Sequence, residues 1–205
     1  MVSSFPRRGE NCLTDILRVG DVLGTFGHIR AADWWPPWNA CSKAVVYAAI
    51  RAYQRGQGYI PPACDVTHVR LVARSLDDPE PLFEVTTPRA QFVGLDVLRG
   101  KRVIVCRSIN RLDPNKLLCA CLNMEGGDYD VAELAVFALS GLASVKRKLV
   151  LRFDRGRRYV CSTGVAKAVD AAGHQFLRIK WADTPPAEYA DNMVEWRHYI
   201  IQKAE

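Results

Sequence analysis

Strand-length apolar segments crowd the middle of this sequence, and segments of helical spacing dominate after it. From Val66 to Arg74 the residues alternate: Val69, Leu71 and Ala73 fall on one face, and Val66, His68, Arg70 and Val72 on the other. Asp77-Asp78-Pro79-Glu80-Pro81 has the composition of a turn, and Leu82 to Thr87 reads as the strand that returns from it. Gln91 to Val93 continues the sheet after the break at Pro88, and Lys101 to Arg107 is a further strand. Then the period changes. Asp113-Pro114 supplies an N-cap and a first-turn proline for a helix over Lys116 to Leu122. A turn at Gly126-Gly127-Asp128-Tyr129 leads to a helix over Val131 to Leu142, and Leu149 to Phe153 is a short strand or loop. Tyr159-Val160-Cys161-Ser162 opens a last clear helix, closed by Gly173. Strands followed by helices imply an α+β fold, an antiparallel sheet with helices on one side.

Ahead of this core, residues 1–16 read as a leader with little pattern, and residues 17–205 as a single domain. Leu17 to Gly24 contains a Gly20-Asp21 turn running into a short apolar strand. Trp34-Trp35-Pro36-Pro37-Trp38-Asn39 reads as an aromatic loop that its prolines keep out of regular structure. Val45, Val46, Ala49 and Ile50 give Ser42 to Tyr53 a helical period, so about 34–65 forms an inserted Trp-rich loop and helix. The tail has a prolyl turn at Pro185-Pro186 and then a segment readable as helix or strand.

Composition narrows the function. No run of eighteen apolar residues occurs, so no membrane span is expected, and the N-terminus lacks the apolar stretch of a secretory signal. Seven irregularly spaced cysteines read as reduced thiols in a cytoplasmic setting. Cys119-Ala120-Cys121 lacks the gap of a zinc knuckle, so no metal or other cofactor is expected. A net charge of +6 admits an acidic partner, but the basic residues are dispersed apart from Arg152, Arg155, Arg157 and Arg158. A moderately basic soluble protein without a nucleic-acid partner is the reading taken.

Three residue types in this order point to thiol chemistry. Cys161 begins a helix, where free backbone N–H groups and the positive dipole end favour a thiolate and can hold an oxyanion. His68, fixed mid-strand, suits a general base. Glu84 sits in the middle of the next strand, where a hairpin brings it beside His68 to orient the imidazole. Cys41-Ser42 is a rival nucleophile at another helix start, but the interval to His68 is too short for an intervening strand. Each residue also has an ordinary structural explanation: a buried cysteine, a strand histidine, an edge-strand charge.

Gly20-Asp21-Val22, Thr67-His68-Val69-Arg70-Leu71-Val72, Phe83-Glu84-Val85 and Tyr159-Val160-Cys161-Ser162-Thr163-Gly164 occur in the order found in one family. The set resembles the circularly permuted NlpC-type, YiiX-like papain-fold cysteine hydrolases, over about Leu17 to Gly173. The resemblance implies a papain-like fold with Cys161 as nucleophile, His68 as base and Glu84 as orienting residue. It also implies peptide-like amide substrates, including peptidoglycan stem peptides. Gly127-Asp128-Tyr129-Asp130 resembles the turn before the family's cysteine helix, which makes Tyr129 a site-lining residue. Ser162, next to the nucleophile, and Trp35 and Trp38, as an aromatic wall or lid, complete the expected substrate contacts. Arg70 stands where the family usually has a small residue. An acyltransferase or esterase acting on acyl or lipid substrates, and a catalytically silent papain-like binding module, are the alternatives.

Overall fold

A computed structural model describes residues 13–27, 37–108, 110–130, 158–174, 184–191 and 201–203. Its first elements are helix α1 (Leu13–Ile16), strand β1 (Val22–Phe26) and helix α2 (Pro37–Gly56). Next come β2 (Val66–Val72), β3 (Leu82–Val85), β4 (Ala90–Val93) and β5 (Arg102–Cys106). Helix α3 (Pro114–Met124), the short strands β6 (Asp128–Tyr129) and β7 (Arg158–Tyr159), helix α4 (Cys161–Ala171), helix α5 (Pro186–Asp191) and β8 (Ile201–Lys203) complete them. One sheet runs β4-β3-β2-β1-β5-β8, with every pairing antiparallel; β6 and β7 pair separately and in parallel. Mixed α+β architecture is therefore present. The expected helices over 131–142 and the segment 149–153 lie outside the described residues.

Each face of the sheet has its own core. Val22, Val69, Leu71, Phe83, Val85 and Ile104 pack against Leu117 and Cys121 of α3, Val165 and Val169 of α4, and Tyr189 of α5. Leu23, Val72, Leu82, Val103 and Val105 form the other cluster with Leu98, Leu13 and Leu17. Leu13–Ile16, within the segment read from sequence as a leader, is helical, and Leu13 packs in the second core.

Three local features also differ from expectation, each for a physical reason. Pro37 starts α2 rather than preventing it, since proline's fixed φ suits a first helical turn. Trp38 therefore lies in that turn and Cys41 beyond it, not at a helix start. Second, Val66 packs with Val69 and Leu71 instead of on the His68 face. The ladder pairs Thr25 with His68 but Phe26 with Val66, so one extra residue bulges at Thr67 and reverses the alternation. Third, the tail resolves into β8, which pairs with β5.

The Gly-Asp motif acquires a role in this frame. Gly20 has φ +96°, and Asp21 is buried at the start of β1. Arg107, just past β5, grips Asp21 with Nε to Oδ1 and Nη2 to Oδ2, both at 2.7 Å. Asp21 also accepts the Arg18 N–H at 2.8 Å. The pair ties the first strand of the sheet to the end of β5.

Candidate active site

Cys161 is the first residue of α4, and Val160 before it offers no side-chain acceptor to the helix's opening N–H groups. Thr163 Oγ1 instead accepts the Val160 N–H at 3.2 Å. The first-turn amides beside Cys161 are thus left for other acceptors. Gly164 lets α4 lie close on β3: a Cβ there would stand 2.6 Å from Val85 Cγ2. On the far side, the Tyr189 hydroxyl donates to the Ser162 carbonyl at 2.7 Å. Gln54 anchors α5 in turn: its Nε2 donates to the carbonyls of Cys64 and Val66, and its Oε1 accepts the Ala187 N–H. Both helix ends that meet Cys161 are therefore fixed by buried hydrogen bonds.

The thiol is 5 % exposed. Burial pushes its pKa up to about 11, although backbone hydrogen bonds from Val69 and Ser162 and the Arg70 charge pull the other way. This corrects the expectation of a lowered pKa from helix position alone: loss of solvent outweighs the helix N-terminus. Cys161 faces a small apolar recess of about 30 Å³ lined by Ile50, Tyr53, Tyr129, Val160, Ser162, Pro185 and Pro186. Tyr129 and Ser162 line the same recess as Cys161. Trp35 and the side chain of Trp38 lie outside the described residues.

His68 and Glu84 meet, but not as a direct cross-strand pair. The register sets Glu84 opposite Arg70, so His68 reaches it diagonally, Nε2 to Oε2 at 3.4 Å. Arg70 Nε lies 2.7 Å from the same oxygen, and Gln91 Nε2 donates to the other at 3.4 Å. Burial raises the Glu84 pKa, but the His68 hydrogen bond, Arg70, and then Gln91 outweigh it and bring it to about 2. His68 is moved down to about 4, by burial first and then by the Arg70 charge, against the pull of Glu84. Near pH 7 the group is a neutral imidazole beside a carboxylate. With Nε2–H donating to Glu84, Nδ1 is left as the basic nitrogen.

Strand β2 lies between this cluster and the thiol. α4 packs on the Val69 face, whereas His68, Arg70 and Glu84 project from the other. The β2–β3 ladder runs only from Arg70–Glu84 to Val72–Leu82, and below its end the sulfur meets the backbone of Val69. No hydrogen bond joins His68 to Cys161. Arg70, which the sequence reading placed on the His68 face without a role, is the charge felt at the sulfur. Its period-two spacing from His68 was the available signal.

Among the described residues no group of three His, Cys, Asp or Glu side chains could hold a metal ion, and no helix is long and apolar enough to cross a membrane. No protein-family model matches the chain, and no curated protein matches it.

Proposed function

We propose that this protein is a papain-like thiol hydrolase that cleaves a peptide-like amide through Cys161. One observation carries the reading: the Cys161 sulfur sits at the start of α4, hydrogen-bonded by the Val69 and Ser162 backbone and open to an apolar recess. A carbonyl carbon seated in that recess would place its oxygen beside donors of the same first turn. Thiol and imidazole both rest as neutral species, so attack needs assistance at the moment it occurs.

The sulfur–carbon bond forms while the thiol proton passes to Nδ1 of His68, a transfer that requires the imidazole to come from the Arg70 face round the end of the β2–β3 ladder to the sulfur. The carbonyl electron pair moves to oxygen. Glu84 accepts from Nε2–H and stabilises the imidazolium so formed. Collapse of the intermediate expels the amine, which takes the proton from His68, and water then hydrolyses the thioester to regenerate the thiol. Peptidoglycan stem peptides are the substrates that the resemblance suggests.

Turnover of a panel of short peptidyl amides and stem-peptide fragments, followed by chromatography, tests the activity. Cleavage in wild type with loss in Cys161→Ser, and a drop of roughly 100-fold or more in His68→Ala, is the expected result. Equal turnover in Cys161→Ser would refute it.

A further inference from the structure

The recess at Cys161 is walled by structure that is already held in place. Ile50 and Tyr53, one helical turn apart, come from α2; Val160 precedes α4, and Pro185 and Pro186 form the entry to α5. Tyr53 and Val160 pack together as a small core, with Tyr129 against them. The buried Gln54 side chain fixes both helices: its Nε2 donates to the Cys64 and Val66 carbonyls, and its Oε1 accepts the Ala187 N–H. The walls are therefore set before any ligand arrives. Pro185 and Pro186 bring no backbone N–H to them. The volume of about 30 Å³ is roughly a tenth of that of the smallest usual small-molecule sites, and suits roughly one or two groups the size of a water or a methyl.

We propose that this recess is a size filter for the acyl side of the substrate, admitting a side chain of about alanine size and excluding leucine or phenylalanine. The inference rests on the hydrolase reading for its chemistry, though not for its geometry. The sulfur must come within bonding distance of the carbonyl carbon, so the group that enters beside Cys161 is one that this carbon bears. The leaving side begins with an amide nitrogen, whose N–H loses water at a cost against apolar walls. A small apolar side chain on the acyl side gains from the same walls. Ile50 sets the limit, since it is the aliphatic side chain that α2 contributes to the wall.

Two series test the filter. In the first, methyl, propyl and benzyl methanethiosulfonates modify the thiols, and peptide mapping gives the rate at Cys161 relative to exposed Cys119 in the same molecule. Each reaction forms a disulfide to the alkylthio group, releases methanesulfinate and gives the thiol proton to solvent, so no turnover is needed. The Cys161 to Cys119 ratio should fall roughly tenfold or more from methyl to benzyl. Ile50→Ala should restore most of the benzyl rate and the milder Ile50→Val part of it. Val45→Ala, at an exposed position of the same helix, should leave the ratio unchanged. In the second series, N-acylated alanyl amides should show a kcat/KM roughly tenfold or more above that of leucyl and phenylalanyl amides, and Ile50→Ala should narrow the gap. A ratio that is flat with reagent size, or unaltered by both Ile50 variants, would overturn the proposal, as would equal cleavage of alanyl and leucyl amides. A filter that acts on the reagents while wild type cleaves no amide would uphold the recess and refute the hydrolase reading alone.

Discussion

His68 stays neutral in the fold because it has lost water and lies beside Arg70, and Glu84 does not make up the difference. Its folded pKa of about 4 lies below the ordinary 6.5, so the unfolded chain binds the proton first as pH falls. Stability is therefore lost from pH 6.5 down to about 4, by roughly 3 kcal/mol for a side chain that is 21 % exposed. Glu84, held at about 2, loses its contribution at still lower pH. Urea titrations across this range should show the slope between pH 6.5 and 4, and His68→Gln should flatten it. An unchanged slope in the variant would mean that His68 is not the titrating group. Arg70 contributes to both shifts, after burial for His68 and after the His68 hydrogen bond for Glu84, and its place on the His68 face was legible in the alternation of β2. Its pairing with Glu84 was not, because cross-strand register depends on the turn at 73–81 rather than on either strand's pattern.

At the scale of elements, the decisive contact is α4 on β3. Gly164 allows it: any side chain there meets Val85 Cγ2, which is itself fully buried. Gly164→Ala should destabilise the protein by about 1–3 kcal/mol and push the start of α4 away from Val69. Denaturant midpoints check the first effect, and a change in Cys161 alkylation rate checks the second. The start of α4 at Cys161 and the Asp113 cap of α3, whose Oδ1 accepts from Asn115 and Lys116, could be read from composition. The bulge at Thr67 could not. Its neighbours carry ordinary strand residues, and only the pairing of Phe26 with Val66 reveals it. That bulge moves Val66 from the His68 face to the face on which Val69 and Leu71 pack. Pro37 shows the complementary error: a proline pair looks like a breaker until a helix begins on its second member.

Across the whole molecule, the sheet is sealed on both faces, and the Asp21–Arg107 pair joins β1 to the end of β5. Removing one partner strands a buried charge, so Arg107→Met should cost roughly 3 kcal/mol, whereas an exposed arginine such as Arg111 should cost well under 1. Equal effects on the unfolding midpoint would deny the pair its role. Gly20-Asp21 was visible as a motif, but its partner lies 86 residues away and nothing local marks it. The same topology sets two openings apart, an apolar recess at the thiol and a charged cleft beyond β2, with Arg70 the residue that the thiol senses and the cleft displays.

Acylation of Cys161 itself is the most direct test. The protein is exposed to a short peptidyl thioester or activated ester between about pH 3 and 8, quenched, and mapped by mass spectrometry. The account predicts an acyl group on Cys161, a rate that rises as His68 loses its proton near pH 4, and loss of that rise in His68→Ala. An adduct on exposed Cys119 with none on Cys161 would contradict it.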